Sequence, residues 1–257
     1  MTEHDLARAE YGISACQEYP TCNATTKCEI TLSSIQPGDE RRGSRDAKVI
    51  LVTEAPDQAS SEGTAYKGGI SGRIRSMFTE QKYGVGLSDS SGGFSEFLDS
   101  HQIYATSAIK CHVNGSISEL GNSVIRNCRS KYLEKQIEAM DDLELIVPMG
   151  KLAAASILKR NYSSFNLTSL VGRQRGMVDD PQDWDAPIVV LPHPSGASTL
   201  SNPPVFSEND SRQVAKQKDG FRRALVEIRK RLDSVGYDVL DDNPDSWEAS
   251  GGLSSFT

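Results

Sequence analysis

The sequence predicts an α/β protein: a single three-layer α/β/α domain around a central, mostly parallel four-stranded sheet. Three observations carry that prediction. Short runs rich in Val, Ile and Leu recur along the chain, and each reads as a strand buried on both faces. Stretches with apolar residues at helical spacing separate the runs, which implies crossover helices on both sides of a parallel sheet. Polar, glycine-rich loops follow the carboxyl ends of the runs, where open α/β sheets bind their ligands.

The elements follow in order. "AKVILVTEA", Ala47 to Ala55, reads as the first core strand, and "SGRIRSMFTEQ", Ser71 to Gln81, as a helix after a glycine-rich turn. The polar loop "YGVGLSDSSGG" leads through a short helix to a second strand, "QIYATSAIKC", Gln102 to Cys111. From Asn122 to about Met140, Ile125, Cys128, Tyr132 or Leu133, and Ile137 recur at helical spacing, so Cys128 is expected to face inward. "LELIVPMG" is the third strand, and Gly150 opens the helix "KLAAASILKR". "SLVGRQRGMV", Ser169 to Val178, suits a small hairpin, and Ile188 to Leu191 is the fourth strand. Ser201 to Gly220 reads as a long polar loop, and a closing amphipathic helix presents Phe221, Leu225, Ile228 and Leu232 on one face.

At 257 residues the chain is long enough for one large domain or two small ones, and one is expected, spanning residues 1–235, with an acidic flexible tail over 236–257. No run of about 18 apolar residues occurs, as a membrane span would need, and "MTEHDLARAE" lacks signal-peptide character, so a cytoplasmic protein is expected. A net charge of -7 argues at first against a nucleic-acid partner. Its distribution weakens the objection, because acidic residues crowd the carboxyl-terminal stretch while "SGRIRS" and "VGRQRG" are locally basic. Five cysteines, Cys16, Cys22, Cys28, Cys111 and Cys128, are an odd number for a cytosolic chain, where disulfides are rare. Metal binding suits them better than service as small buried apolar side chains.

Two loops stand out for chemistry, "TEAPDQASSEGTAYKGG" after the first strand and "HPSGASTLSN" after the fourth. They offer a carboxylate at Glu54, an imidazole at His193, an aromatic ring at Tyr66 and glycines that let a ligand approach the backbone. That set suits a polar ring held in a slot. Each residue taken alone has a plainer reading: His193 as a strand-end cap, Glu54 in a surface ion pair, Tyr66 as core.

Read together with the cysteines, these segments resemble the iron-sulfur branch of the uracil-DNA glycosylase superfamily, from about Cys22 to Asn202. That family carries Gly-Glu-(Ala/Gly)-Pro-Gly at the end of a strand, here "TEAPD", then Gly-x-Pro-Phe-x-Gly, here "GTAYKG". Its Thr-Asn-x-x-Lys-Cys is here "TSAIKC", its Val-Pro-x-Gly is "VPMG", and its His-Pro-Ser is "HPS". Five weak motifs in the right order make a strong signal.

The resemblance implies hydrolysis of the N-glycosidic bond joining a damaged base, chiefly uracil, to deoxyribose in DNA. The nucleotide must be flipped out of the duplex, at a cost of about a few kcal/mol. Glu54 matches the motif glutamate, which would offset an oxocarbenium-like sugar and orient or deprotonate water. His193 would donate a hydrogen bond to a carbonyl oxygen of the departing base, a kind of donor whose loss costs roughly 100- to 1000-fold in rate. The backbone of Ala55, Pro56 and Asp57 lies where the family reads the base edge, and Tyr66 replaces a stacking phenylalanine. Ser195 is implied as a phosphate contact, with Leu200 the expected apolar wedge in the minor groove. Arg173 and Arg175 are candidate phosphate contacts or equally a solvated charged hairpin.

Cys111 and Cys128 fall where the family places its third and fourth cluster ligands. Cys28 and Cys22 are expected to complete the set, with Cys16 the rival of Cys22. Four thiolates suit a 4Fe-4S cluster or zinc by count, so the resemblance alone selects the cluster. A monomer is expected.

Departures from the pattern bear on specificity. Ser107 stands where the family has a base-reading asparagine, and a hydroxyl is shorter and less selective than an amide. Asp57 adds a second carboxylate near Glu54, able to raise its neighbour's proton affinity or to activate water itself. Thr53 replaces the glycine before Glu54. Three functions therefore stay open: a uracil-DNA glycosylase, a glycosylase with altered preference for deaminated purines, and a non-catalytic iron-sulfur nucleic-acid-binding protein.

Overall fold

The computed structural model describes residues 28–29, 46–56, 69–79, 84–89, 92–110, 112–113, 117–167, 170, 177–178, 184–194 and 211–239. Through them the chain runs β1 (Cys28–Glu29), β2 (Val49–Thr53), α1 (Gly69–Thr79), α2 (Phe94–Ser100), β3 (Ile103–Ser107) and β4 (His112–Val113). It continues with α3 (Asn122–Cys128), a π turn (Arg129–Leu133), α4 (Glu134–Glu138), β5 (Leu145–Pro148) and α5 (Lys151–Ile157). β6 (Met177–Val178), β7 (Ile188–Val189) and α6 (Arg212–Ser234) complete it.

The main sheet has the order β3-β2-β5-β7-β6, in which the first four strands are parallel and the last is antiparallel. This is the expected parallel four-stranded core with a two-residue edge strand added. β6 lies in the stretch read as a self-contained hairpin, but its partner is β7, with Met177 opposite Val189. Two residues of backbone pairing at the edge gain more from an existing strand than from an isolated hairpin, which is marginal in water.

Alternation along β2 explains the layers. Val49 and Leu51 enter one buried cluster with Ile103, Leu145, Val147 and Val189, together with residues of α1, α2 and α6. Ile50 and Val52 enter the other with Tyr104, Ile146 and Ile188, together with residues of α3 and α5. Successive strand side chains point to opposite faces, so a continuous apolar run becomes two cores, one on each side of the sheet.

The helix expected over Asn122 to Met140 forms with an irregularity. The π turn at Arg129–Leu133 joins α3 to α4 without a break, and it accommodates an extra residue per turn. Both Tyr132 and Leu133 are therefore buried, where helical spacing offered a choice between them. Gln136 of α4 is fully buried as well, and its Oε1 accepts from the Lys110 ammonium at 2.5 Å and from Thr106 Oγ1 at 3.1 Å, while its Nε2 donates to Tyr104 Oη at 3.0 Å. This network satisfies polar groups beneath the carboxyl end of β3.

The long polar loop expected over Ser201 to Gly220 is shorter than its composition suggests. α6 begins at Arg212, capped by Ser211, whose Oγ accepts from Val214 N at 3.3 Å. Polar residues in the first turns hid the helix start, and Asp219 pairs with Arg223 at 2.7 Å, one turn on. Phe221, Leu225, Ile228 and Leu232 are buried in the cluster with α1 and α2, as the spacing predicts. Tyr237 and Val239, inside the stretch assigned to the tail, also pack there, and Val239 bridges Leu87 antiparallel. Among the described residues no helix is long and apolar enough to cross a membrane.

Phe221 is the largest side chain that α6 buries completely. Phe221→Ala is expected to lower the unfolding free energy by about 3 to 5 kcal/mol in urea denaturation, with the native spectrum retained.

Candidate active site

Strand order decides what meets at the carboxyl edge of the sheet. β5 lies between β2 and β7, so Glu54, one residue past β2, and His193, four residues past β7, emerge on either side of the turn that follows β5. That turn is Met149 and Gly150. Met149 bridges Leu191 in parallel register, and Gly150 N donates to the Leu191 carbonyl at 2.9 Å.

Glu54 is half-buried and anchored at both ends. Its carbonyl accepts from Ile109 N at 3.0 Å, and its Oε1 accepts from Leu152 N at 2.9 Å. The carboxylate thus satisfies one of the donors left unpaired in the first turn of α5. Gly150 is what lets it in. The φ of Gly150 is +96°, and a Cβ there would stand 2.6 Å from Glu54 Oε1 and 2.8 Å from Cδ, so any side chain would be strained and would push the carboxylate out. The Val-Pro-x-Gly segment is therefore a notch for the carboxylate. Among the described residues Oε2 takes no hydrogen bond, which leaves one oxygen for a ligand.

His193 lies within electrostatic reach of that carboxylate. Burial holds its imidazole below the usual histidine range, and Glu54 opposes the shift without cancelling it. A neutral ring keeps one N–H donor and one acceptor nitrogen at neutral pH. The loop is tied down beside it, since Arg73 Nη1 of α1 donates to the Pro194 carbonyl at 3.5 Å.

Two residues that sequence reasoning passed over join this group. Tyr162 has its phenol pushed up, first by burial and then by Glu54, which places it in the same electrostatic neighbourhood. Lys151 Nζ stands 4.7 Å from the centre of the Tyr162 ring, a cation-π contact. Lys151 directly follows Gly150 in the sequence and could have been found from the motif; Tyr162 follows α5 in a polar segment and carried no signal.

On the other flank, Ser107 and Thr53 occupy matched positions at the ends of β3 and β2, and their hydroxyls are 2.8 Å apart. Lys110 Nζ donates to the Ser107 carbonyl at 2.5 Å and to Thr106 Oγ1 at 2.8 Å, fixing the turn before Cys111. Ala55 packs partly buried against the cluster that contains Ile50 and Val52. Pro56 ends the described stretch after β2.

The structure thus brings Glu54, Ala55, Pro56, Ser107 and His193 to one edge. Asp57, Tyr66, Arg173, Arg175, Ser195, Leu200, Cys16, Cys22 and Cys111 lie outside the described residues. Cys28 sits in β1 opposite Val113 of β4, two residues beyond Cys111 in the chain. Cys128 is a buried thiol that ends α3, in the same cluster as Val113.

A three-layer α/β/α fold thus sets a carboxylate and a buried imidazole at its carboxyl edge, on either side of the turn after β5, a constellation suited to hydrolysis of a polar ligand. One pole favours developing positive charge and the other donates to developing negative charge. The chain belongs to the uracil DNA glycosylase superfamily: the family model described as "Uracil DNA glycosylase superfamily" matches residues 40–214, about two-thirds of the chain. No curated protein matches it. Members of that superfamily are glycosylases that act on DNA.

The His193 shift has a sign that can be checked. Above pH 6.5 the ring is neutral in both the folded and the unfolded chain. As pH falls from 6.5 through the lowered folded value, the unfolded chain takes up the proton first and stability is lost. An NMR titration is expected to give a His193 midpoint below 6.5, and Glu54→Gln is expected to move it lower still by removing the one opposing charge.

Proposed function

We propose that the protein is a DNA glycosylase that hydrolyses the N-glycosidic bond of uracil and leaves an abasic site. The observation that carries this reading is that Glu54 and His193 leave the strands on either side of β5, with Glu54 seated against Gly150, in a chain of this superfamily.

The chemistry follows from the two poles. As the bond from C1′ to the base nitrogen breaks, its electron pair leaves with the base and the sugar becomes cationic. The free oxygen of Glu54 stabilises that cation and orients a water, whose oxygen bonds C1′ and whose proton is released. His193, neutral, donates its N–H to the base carbonyl on which the negative charge settles. Its burial serves this role, because a neutral donor stays in place without a counter-ion. Asp57 is a second group able to take the water's proton. Ala55 and Pro56 present backbone to the base edge, and Tyr66 stacks on the ring. Ser195, Arg173 and Arg175 hold phosphates while Leu200 fills the gap left by the flipped nucleotide. Lys151, beside Tyr162 at the same edge, adds a cation for the flanking phosphate.

For the cofactor, Cys22, Cys28, Cys111 and Cys128 would hold a 4Fe-4S cluster, with Cys16 the rival of Cys22 and zinc the alternative ion. The pairing of β1 with β4 supports that set, since it carries Cys28 to the strand that Cys111 precedes. The cluster's part would be structural, tying the amino-terminal segment to the turn after β3. The protein is expected to act as a cytoplasmic monomer.

A second reading, preference for deaminated purines, is favoured by one observation: the hydroxyl of Ser107 stands in contact with Thr53 where the family has an amide. A duplex panel bearing uracil, hypoxanthine or xanthine separates the readings by strand scission after alkali. Scission at uracil supports the first, scission only at a purine the second, and binding without scission would show a non-catalytic protein. Glu54→Gln and His193→Ala are each expected to slow single-turnover excision by roughly 100-fold or more while leaving the fold intact by circular dichroism. Unchanged rates in both would remove the site assignment. Anaerobically prepared protein is expected to be brown and to contain iron and sulfide; a colourless zinc protein would overturn the cluster.

A further inference from the structure

We propose that Tyr162 is a positioning residue whose ring holds the Lys151 ammonium off the Glu54 carboxylate, so that the acid keeps its charge for the reacting sugar. This rests on the reading of Glu54 as the group that offsets a cationic sugar.

Lys151 is well placed to neutralise Glu54. It lies between Gly150, whose missing Cβ makes room for the carboxylate, and Leu152, whose N–H donates to Oε1 at 2.9 Å. A lysine stem is long and flexible enough to carry its ammonium from that backbone position to the second carboxylate oxygen. Among the described residues, however, no ion pair joins the two. The ammonium stands instead 4.7 Å from the centre of the Tyr162 ring.

The end of α5 brings the ring there. Lys159 has a φ of +49°, its N–H donates to the Ser156 carbonyl at 3.2 Å, and Arg160 N donates to the Ala155 carbonyl at 2.8 Å. These are the paired bonds of a helix closed by one left-handed residue, and they turn the chain back. Tyr162 thereby returns to Lys151 at the start of the helix and packs half-buried against the cluster of Ile50 and Val52. Burial and, after it, the Glu54 charge push the phenol up, so the ring stays neutral and holds the ammonium by its face.

A cation over a partly buried aromatic face and an exposed lysine-carboxylate pair are of similar strength. Removing the ring is therefore enough to release the ammonium. On Glu54 it would occupy the oxygen left for a ligand and repel the positive sugar; over the ring it is left for a phosphate. Other charged groups border the same edge. Arg73 of α1 is bonded to the Pro194 carbonyl, and Lys110 beyond β3 to the Ser107 carbonyl. Of the three cations, Lys151 is the one whose chain neighbours touch the carboxylate. His193, after β7, reports on the outcome, because the Glu54 charge raises its proton affinity.

The test pairs single-turnover excision of deoxyuridine from a duplex at saturating enzyme with an NMR titration of His193. Tyr162→Leu is expected to slow excision roughly tenfold, as an opposite charge settles on the acid, and to move the His193 midpoint below that of wild type. Tyr162→Phe, which keeps the aromatic face, is expected to match wild type in both. Adding Lys151→Met to Tyr162→Leu is expected to restore both, which a mere packing defect at Tyr162 would not allow. An unchanged rate or an unchanged His193 midpoint in a folded Tyr162→Leu, or a loss that Lys151→Met does not reverse, would overturn the proposal. Should Tyr162→Leu fail to fold, the wild-type protein decides: the Lys151 ε-methylene protons are expected upfield in the ring current of Tyr162, and an ordinary position would overturn the proposal. The expected His193 shifts in a protein that excises no deoxyuridine would remove the glycosylase reading and leave the placement of Lys151 standing.

Discussion

The candidate site depends on a missing side chain. Gly150 turns the chain at a positive φ just after β5, and the space where its Cβ would stand is filled by the Glu54 carboxylate. Only with that space open does Oε1 reach the Leu152 amide, and only then is the carboxylate fixed on its strand instead of free to follow solvent. Because Gly150 also bonds Leu191, the same turn ties the acid to the strand that delivers His193. A rigid carboxylate costs nothing to reorganise when positive charge develops beside it, and that is where preorganised electrostatics gains its effect.

The edge has two poles kept apart by their environments. Glu54 is half in contact with solvent and held by a backbone amide, while burial keeps His193 neutral against the pull of that same carboxylate. If attraction had prevailed over desolvation, the pair would be an ion pair and its charge would be spent internally. Desolvation prevails, and the imidazole retains a proton to donate to something else.

Beneath this edge lies a third, wholly buried layer of polar order. Lys110, Gln136, Thr106 and Tyr104 satisfy one another below the end of β3, and Thr53 and Ser107 continue the pattern to the site. Such a network tolerates little variation, because each unpaired member would bear a full desolvation penalty.

Much of this was legible in the residues. Val49 to Val52 and Leu145 to Val147 read as doubly buried strands because continuous β-branched runs have few other uses, and Phe221 to Leu232 read as a core-facing helix from its period. Other features were not. Tyr132 and Leu133 both turn inward because of a π turn, which leaves no mark in a spacing pattern, and α6 starts within a stretch too polar to announce it. Met177 and Val178 pair with a distant strand because edge pairing depends on what lies next to them in space.

By itself, then, the amino-acid order determined the class of fold and the loops that carry Glu54 and His193, since periodicity and strand-end position are local properties. Tertiary structure alone decided that Gly150 makes room for an acid, that Tyr162 shares that acid's surroundings, and that the Thr53 and Ser107 hydroxyls meet across two strands. Those facts depend on which strands are neighbours and on what burial does to charge, and neither is written in any one segment of the chain.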